Sequence, residues 1–133
     1  MEPAKLNLLA IAAATVSSFL LGGLWYSPVL FGRRWAALTG LGEQQLKEGV
    51  ARVFGGALAC QLIAAVNLAF FIGSEASFGF AVFAGLAAGL GWVATGLTTT
   101  FLFERRPLAL IAIDASYHVV ALTLMGAILG AWR

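Results

Sequence analysis

Asp114 and His118 are the two residues of this chain whose types and spacing could do chemistry in an apolar setting. Four apart on a helix, a carboxylate and an imidazole lie on one face, one turn from each other. Tyr117 shares their side. Such a set could hold one proton, or pass it to a ligand. An aspartate in hydrocarbon costs about 2.5–3.5 kcal/mol on insertion scales, so something must offset that cost. Three readings compete. The pair could be a hydrogen-bonded tie between helices. It could bind a proton or substrate in a small transporter or ligand-binding membrane protein. It could be half of a metal or cofactor site. For the last, no HxxxH and no Cys/His cluster completes a ligand set, so neither metal nor cofactor is expected.

The elements that must position this pair follow from the placement of charge. Of 133 residues, 61% are hydrophobic and 11% charged, where a soluble domain carries about 25% charged residues. Charge-free stretches separate Lys5 from Arg33, Arg52 from Glu75, and Glu75 from Glu104; a fourth, from Leu108 to Trp132, holds only Asp114 and His118. Each exceeds the roughly 20 residues that a helix needs to cross a bilayer core. The sequence therefore predicts an all-α integral membrane four-helix bundle in a single domain over residues 1–133. Its spans lie near 7–28, 52–73, 79–103 and 108–131, with a surface loop at 29–51. The first span is expected to be retained, because its stronger charges, Arg33 and Arg34, follow it rather than precede it. In the fourth, Asp114 lies roughly 9 Å in from the helix start and His118 about 6 Å deeper. A net charge of +2 with no basic stripe excludes nucleic acid as the expected partner. The lone Cys60 reads as a small packing residue.

Along the chain, Thr15, Ser18, Gly22 and Trp25 form one small-residue face of the first span, and Pro28 ends or kinks it. Trp25, Tyr26 and Trp35 bracket that end. They are expected to be either interfacial anchors or an aromatic wall beside a cleft. A short helix is expected over Glu43–Glu48, with Glu43 and Lys47 spaced to pair. In the second span Cys60, Ala64 and Asn67 share a face, with Gln61 beside it. The Asn67 amide is expected to bond a neighbouring helix. The third span carries the Gly85/Gly89 pair for close helix contact. It also carries Trp92, Thr95 and Thr99 on one face, with Trp92 expected to turn toward other helices. Gly89-Leu-Gly91-Trp-Val-Ala94 matches a dinucleotide fingerprint in letters only, since no strand precedes it. Pro107 suits the start of the fourth span, where Gly126 and Gly130 repeat the small-residue spacing.

Arg33, Arg34, Lys47, Arg52, Arg105 and Arg106 lie in or beside the first and third connections, against Lys5 and Arg133 on the other side. The positive-inside rule then places those connections in the cytoplasm and both termini on the non-cytoplasmic side. Leu30-Phe-Gly-Arg-Arg34 and Leu102-Phe-Glu-Arg-Arg106 hint at a 2+2 hairpin repeat. Shared need for basic residues at a cytoplasmic end explains the match as well.

Trp25-Tyr26-Ser27-Pro28, Leu30-Phe31-Gly32, Trp35, Leu102-Phe-Glu-Arg-Arg-Pro107 and the Tyr117…Met125-Gly126…Trp132 ending resemble the domain-of-unknown-function 1761 family. The resemblance covers nearly the whole chain. It implies a small, multi-pass, four-span protein of the bacterial cytoplasmic (inner) membrane, with a polar residue near Asp114. It implies no activity and no catalytic residue. With no Ser/His/Asp order, no Cys–His pair on a loop and no phosphate loop, an enzyme is not expected. Two functions stay open. The first is an accessory or structural membrane component. The second is a proton-linked small-molecule transporter or ligand-binding protein using Asp114 and His118, with its ligand unidentified and Tyr117, Asn67, Trp92 and Thr95 as further intramembrane polar candidates. Expected partners are the lipid bilayer and, because four helices enclose no wide pore, a homodimer or larger membrane complex.

Overall fold

A computed structural model describes residues 6–132. Lys5 and Arg133, used above in the charge count, lie outside the described residues. Helix α1 spans Leu8–Trp25. Two short helices, α2 (Gly32–Thr39) and α3 (Glu43–Lys47), occupy the first connection. Helix α4 spans Val50–Ile72. The third long helix runs as α5 (Phe78–Ala88), a π-helical turn (Gly89–Ala94) and α6 (Thr95–Phe103). Helix α7 spans Leu108–Ala131. There is no strand among the described residues.

Four helices are long and apolar enough to cross a membrane: Leu8–Trp25, Val50–Ile72, Phe78–Phe103 and Leu108–Ala131. Their outward side chains agree with that reading. Leu8, Ile63, Phe71, Phe83 and Phe103 are each more than 60% exposed, a surface that water would penalise and lipid tails would not.

Local chemistry sets the helix ends. Asn7 caps α1 by accepting from the Ala10 amide, and its own amide reaches the Trp132 carbonyl at the end of α7. Helix α1 stops at Trp25, three residues before Pro28, since a proline disfavours helical geometry in the residue before it. Gly49 precedes α4 and Gly40 follows α2, both in left-handed backbone. Ser77 caps α5. The helix α2 was not expected; its eight residues bury none of their side chains. Glu43 and Lys47 do not pair: the one ion pair among the described residues is Arg106–Glu104.

Helix α7 is the central element, packed between α1 and α5, with α4 leaning mainly on α1. The seam with α5 is set by small residues. A Cβ on Gly85 would run into the Leu122 carbonyl, and one on Gly126 into that of Ala81. One on Gly130 would lie 2.6 Å from the Ala81 Cβ. The two backbones thus approach as closely as glycine permits, which maximises dispersion contact where lipid supplies no hydrophobic drive. Ala10, Ala14, Ala65, Ala81 and Met125 fill the core around this seam.

Buried positions on the third helix are Ala81, Ala84, Gly85, Gly89 and Ala94; the row through Ala81, Gly85 and Gly89 advances in fours, and the step to Ala94 is five. The π-turn inserts one residue into the helical count, and this rotates everything after it. Trp92 is the casualty of that rotation. Instead of facing other helices it is 71% exposed, meeting the Phe71 ring edge-on at 6.4 Å. The shared letters around Arg33–Arg34 and Arg105–Arg106 sit in different local structures: the first pair opens α2, while the second follows the end of α6.

Candidate functional site

The polar side chains gather at the end of the bundle where α1 finishes and α7 begins. The Tyr26 hydroxyl, just past α1, donates to Asp114 Oδ1 at 2.8 Å. Trp25 Nε1 donates to the Ile113 carbonyl at 3.0 Å. One turn deeper, the Tyr117 hydroxyl donates to the Ser18 carbonyl at 2.8 Å and accepts from Gln61 Nε2 at 2.9 Å. Ser18 Oγ contacts the Thr15 carbonyl at 2.9 Å and Gln61 Oε1 at 3.2 Å. These bonds join α1, α4 and α7. Among the described residues, no buried side-chain nitrogen or oxygen lacks a partner.

The turn that presents Tyr26 is built tightly. Ser27 Oγ donates to the Leu24 carbonyl at 2.7 Å, and the Ser27 carbonyl accepts from Leu30 and Gly32. Gly32 lies so close to the Tyr26 carbonyl that no Cβ fits there. This places α2 so that the Trp35 ring meets Tyr26 at 5.5 Å. The rings of Tyr26 and Tyr117 are 5.7 Å apart, and Phe31 covers Trp25 at 5.2 Å. Trp25, Tyr26 and Trp35 thus do come together, as a clasp over the first turns of α7. Arg33 and Arg34 are exposed on the neighbouring α2, and Arg105 and Arg106 on the turn before α7.

Asp114 and His118 share a face of α7 but make no hydrogen bond to each other: the partner of the acid is Tyr26. The half-buried His118 ring packs edge-on to Tyr117 at 5.1 Å.

The other candidates lie elsewhere. Asn67 is exposed and donates to the Ile63 carbonyl of its own helix, not to a neighbour. Cys60 in its row is exposed too, while Ala64 packs at the edge of the core, because the buried face of α4 is the one with Ala65, Leu68 and Ile72. Thr95 is exposed and bonds to the Gly91 carbonyl within its own helix. Trp92 is outward, as described. The reading of the sequence set Gln61 aside and used Ser18 only as a small residue; both are members of the network. Gln61 could have been found from its phase, since 61, 65, 68 and 72 fall on one helical face. No group of three His, Cys, Asp or Glu among the described residues is placed to hold a metal ion.

Four apolar helices closed around an internal set of tyrosine, glutamine, serine and aspartate define a small four-helix membrane protein. The chain belongs to the family described as Protein of unknown function (DUF1761), which matches residues 9–130. No curated protein and no solved structure matches it.

Proposed function

We propose that this chain is an accessory or structural component of a bacterial inner membrane, in which Asp114 and Tyr117 fasten the bundle. The observation that carries this reading is the network itself. Tyr26 engages Asp114, and Ser18 and Gln61 engage Tyr117, so the polar groups bind one another across three helices. The hollows beside Asn7 and Trp132 and between α6 and α7 are lined by other residues. The basic residues at the Tyr26 end support a cytoplasmic placement of that end, with both termini on the opposite side. Gly56, Cys60, Ile63 and Asn67 form an outward row on α4, which suits association with a second copy or a larger membrane complex.

Proton uptake by proteoliposomes under an imposed pH gradient tests the reading against proton-linked transport. The wild type, Asp114→Asn and His118→Ala should all match protein-free liposomes. Uptake by the wild type that disappears in Asp114→Asn would establish a transporter instead.

A further inference from the structure

A groove of about 650 Å³ opens between α6 and α7, lined by Leu90, Thr95 and Thr99 on one wall and Ala112, Ser116 and Val119 on the other. Its origin is the π-turn. Gly85 before it and Gly89 at its first residue hold the third helix against α7. Helix α6, after it, buries none of its residues, and the groove lies between it and α7.

The lining favours an apolar occupant. Of its four hydroxyls three are spent inside their own helices: Thr95 Oγ1 donates to the Gly91 carbonyl at 2.7 Å, Thr99 Oγ1 to that of Thr95 at 2.8 Å, and Ser116 Oγ to that of Ile113 at 3.1 Å. Thr98 on the same wall keeps its hydroxyl hydrogen for an occupant. At 1.5 Å per residue, the walls run about 10–13 Å along the helices, less than half of a ~30 Å hydrocarbon core. The groove therefore serves one leaflet. A single hydrocarbon chain of that length lies within the groove, and the charge beyond its end argues for a lipid as the occupant.

The groove walls stop at Thr99 and Ala112, roughly 9 Å along the helices from the turn that joins them, and that turn is cationic. Arg105 and Arg106 are both exposed there. Arg106 Nε is 3.0 Å from Glu104 Oε1, so the turn carries two guanidinium groups against one carboxylate, with Arg105 outside that pair. Arg105 Nη1 donates to the Phe103 carbonyl at 2.8 Å. Each guanidinium has five N–H donors, and most remain for a phosphate. Arg105 also has φ 60°, the one non-glycine residue with positive φ among those described. Its amide bonds to the Leu102 carbonyl and that of Arg106 to Phe101, the helix-ending arrangement in which glycine is usual. An arginine here accepts backbone strain and keeps a cation beyond the groove's end.

We propose that the α6–α7 groove binds one acyl chain of an anionic phospholipid, with its phosphate at Arg105 and Arg106. The site rests on the chain being a membrane protein, and its test separates the two claims. The full chain is placed in nanodiscs of equal phosphatidylglycerol and phosphatidylcholine, released, and weighed with its retained lipid by native mass spectrometry. The wild type should retain phosphatidylglycerol over phosphatidylcholine by about fivefold, the effect of one net cation near an anionic surface. Ala115→Phe, which fills the groove, should lower retained lipid of both kinds to the background. Arg105→Gln with Arg106→Gln should keep a bound lipid and lose the preference. Ser116→Leu repeats the filling if Ala115→Phe loses helical content. No preference in the wild type, or full retention in a folded filled variant, overturns the site. In that case resistance of the chain to alkaline extraction from membranes leaves the membrane reading standing, whereas extraction of the wild type ends both.

Discussion

Replacing Tyr117 by Phe removes one oxygen and leaves the ring, which is only 6% exposed. The loss can be worked from its partners. The hydroxyl makes two bonds between helices, to the Ser18 carbonyl and from Gln61. Such bonds average about 0.6 kcal/mol in a membrane protein and reach about 1.7, so the direct loss is about 1–3 kcal/mol. The Gln61 amide would also lose its acceptor while half-buried, and an unsatisfied donor adds to the cost. We expect Tyr117→Phe to destabilise the bundle by about 2 kcal/mol. Gln61→Leu should cost less, about 1 kcal/mol, because Tyr117 keeps the Ser18 carbonyl and Ser18 Oγ keeps that of Thr15. Since the leucine needs no partner, the double variant should be more stable than the sum of the two losses predicts, by about 1 kcal/mol. Equilibrium unfolding in mixed micelles, followed by circular dichroism, measures all three. A Tyr117→Phe protein as stable as the wild type, or strict additivity, would refute a network that fastens α1 and α4 to α7.

Two further substitutions probe the close approaches. Gly85→Leu must force α5 from the Leu122 carbonyl and should cost about 2–3 kcal/mol as overpacking, whereas Gly55→Ala, with nothing within 4 Å, should be near neutral in the same unfolding assay. Gly32→Ala should push α2 off the Tyr26 carbonyl and separate Trp35 from Tyr26. Limited trypsin digestion should then cut at Arg33 or Arg34 faster than in the wild type, at a rate that an unmoved α2 would leave unchanged.

The long helices were legible because charge is costly in hydrocarbon: the long stretches between charged residues, interrupted only by Asp114, mark the four spans. The glycine seam was legible for a related reason, since Gly85, Gly126 and Gly130 have no other evident use on an apolar helix. Which way each helix faces was not. In water the polar side of a helix points outward and reveals its phase, but α4 is apolar all round. Cys60, Ala64 and Asn67 therefore looked as much like an inner face as Gln61, Ala65 and Leu68, and the wrong row was favoured. Trp92 failed differently. It was expected to face other helices because an indole N–H at mid-membrane needs a partner, but it lies in the π-turn at Gly89–Ala94 and is exposed. Helix α2 was missed because eight residues with two adjacent arginines carry too little periodicity to stand out from a loop.

On the proposed reading, Asp114 and the aromatic residues around it serve architecture. In Trp25-Tyr26-Ser27-Pro28…Gly32…Trp35, each member has a mechanical task. Trp25 holds the Ile113 carbonyl, Tyr26 holds Asp114, Ser27 folds the turn, Gly32 permits its closure, and Trp35 braces Tyr26. The motif is a clasp that binds the end of α1 to the first turns of α7. This accounts for an acid placed about 9 Å inside a membrane helix: a tyrosine hydroxyl is aimed at it, which offsets part of its burial without any substrate. Function is then to be sought on surfaces the network does not use. The outward row of α4 and the groove between α6 and α7 both face lipid, where a neighbouring helix or a lipid molecule is what the chain would meet.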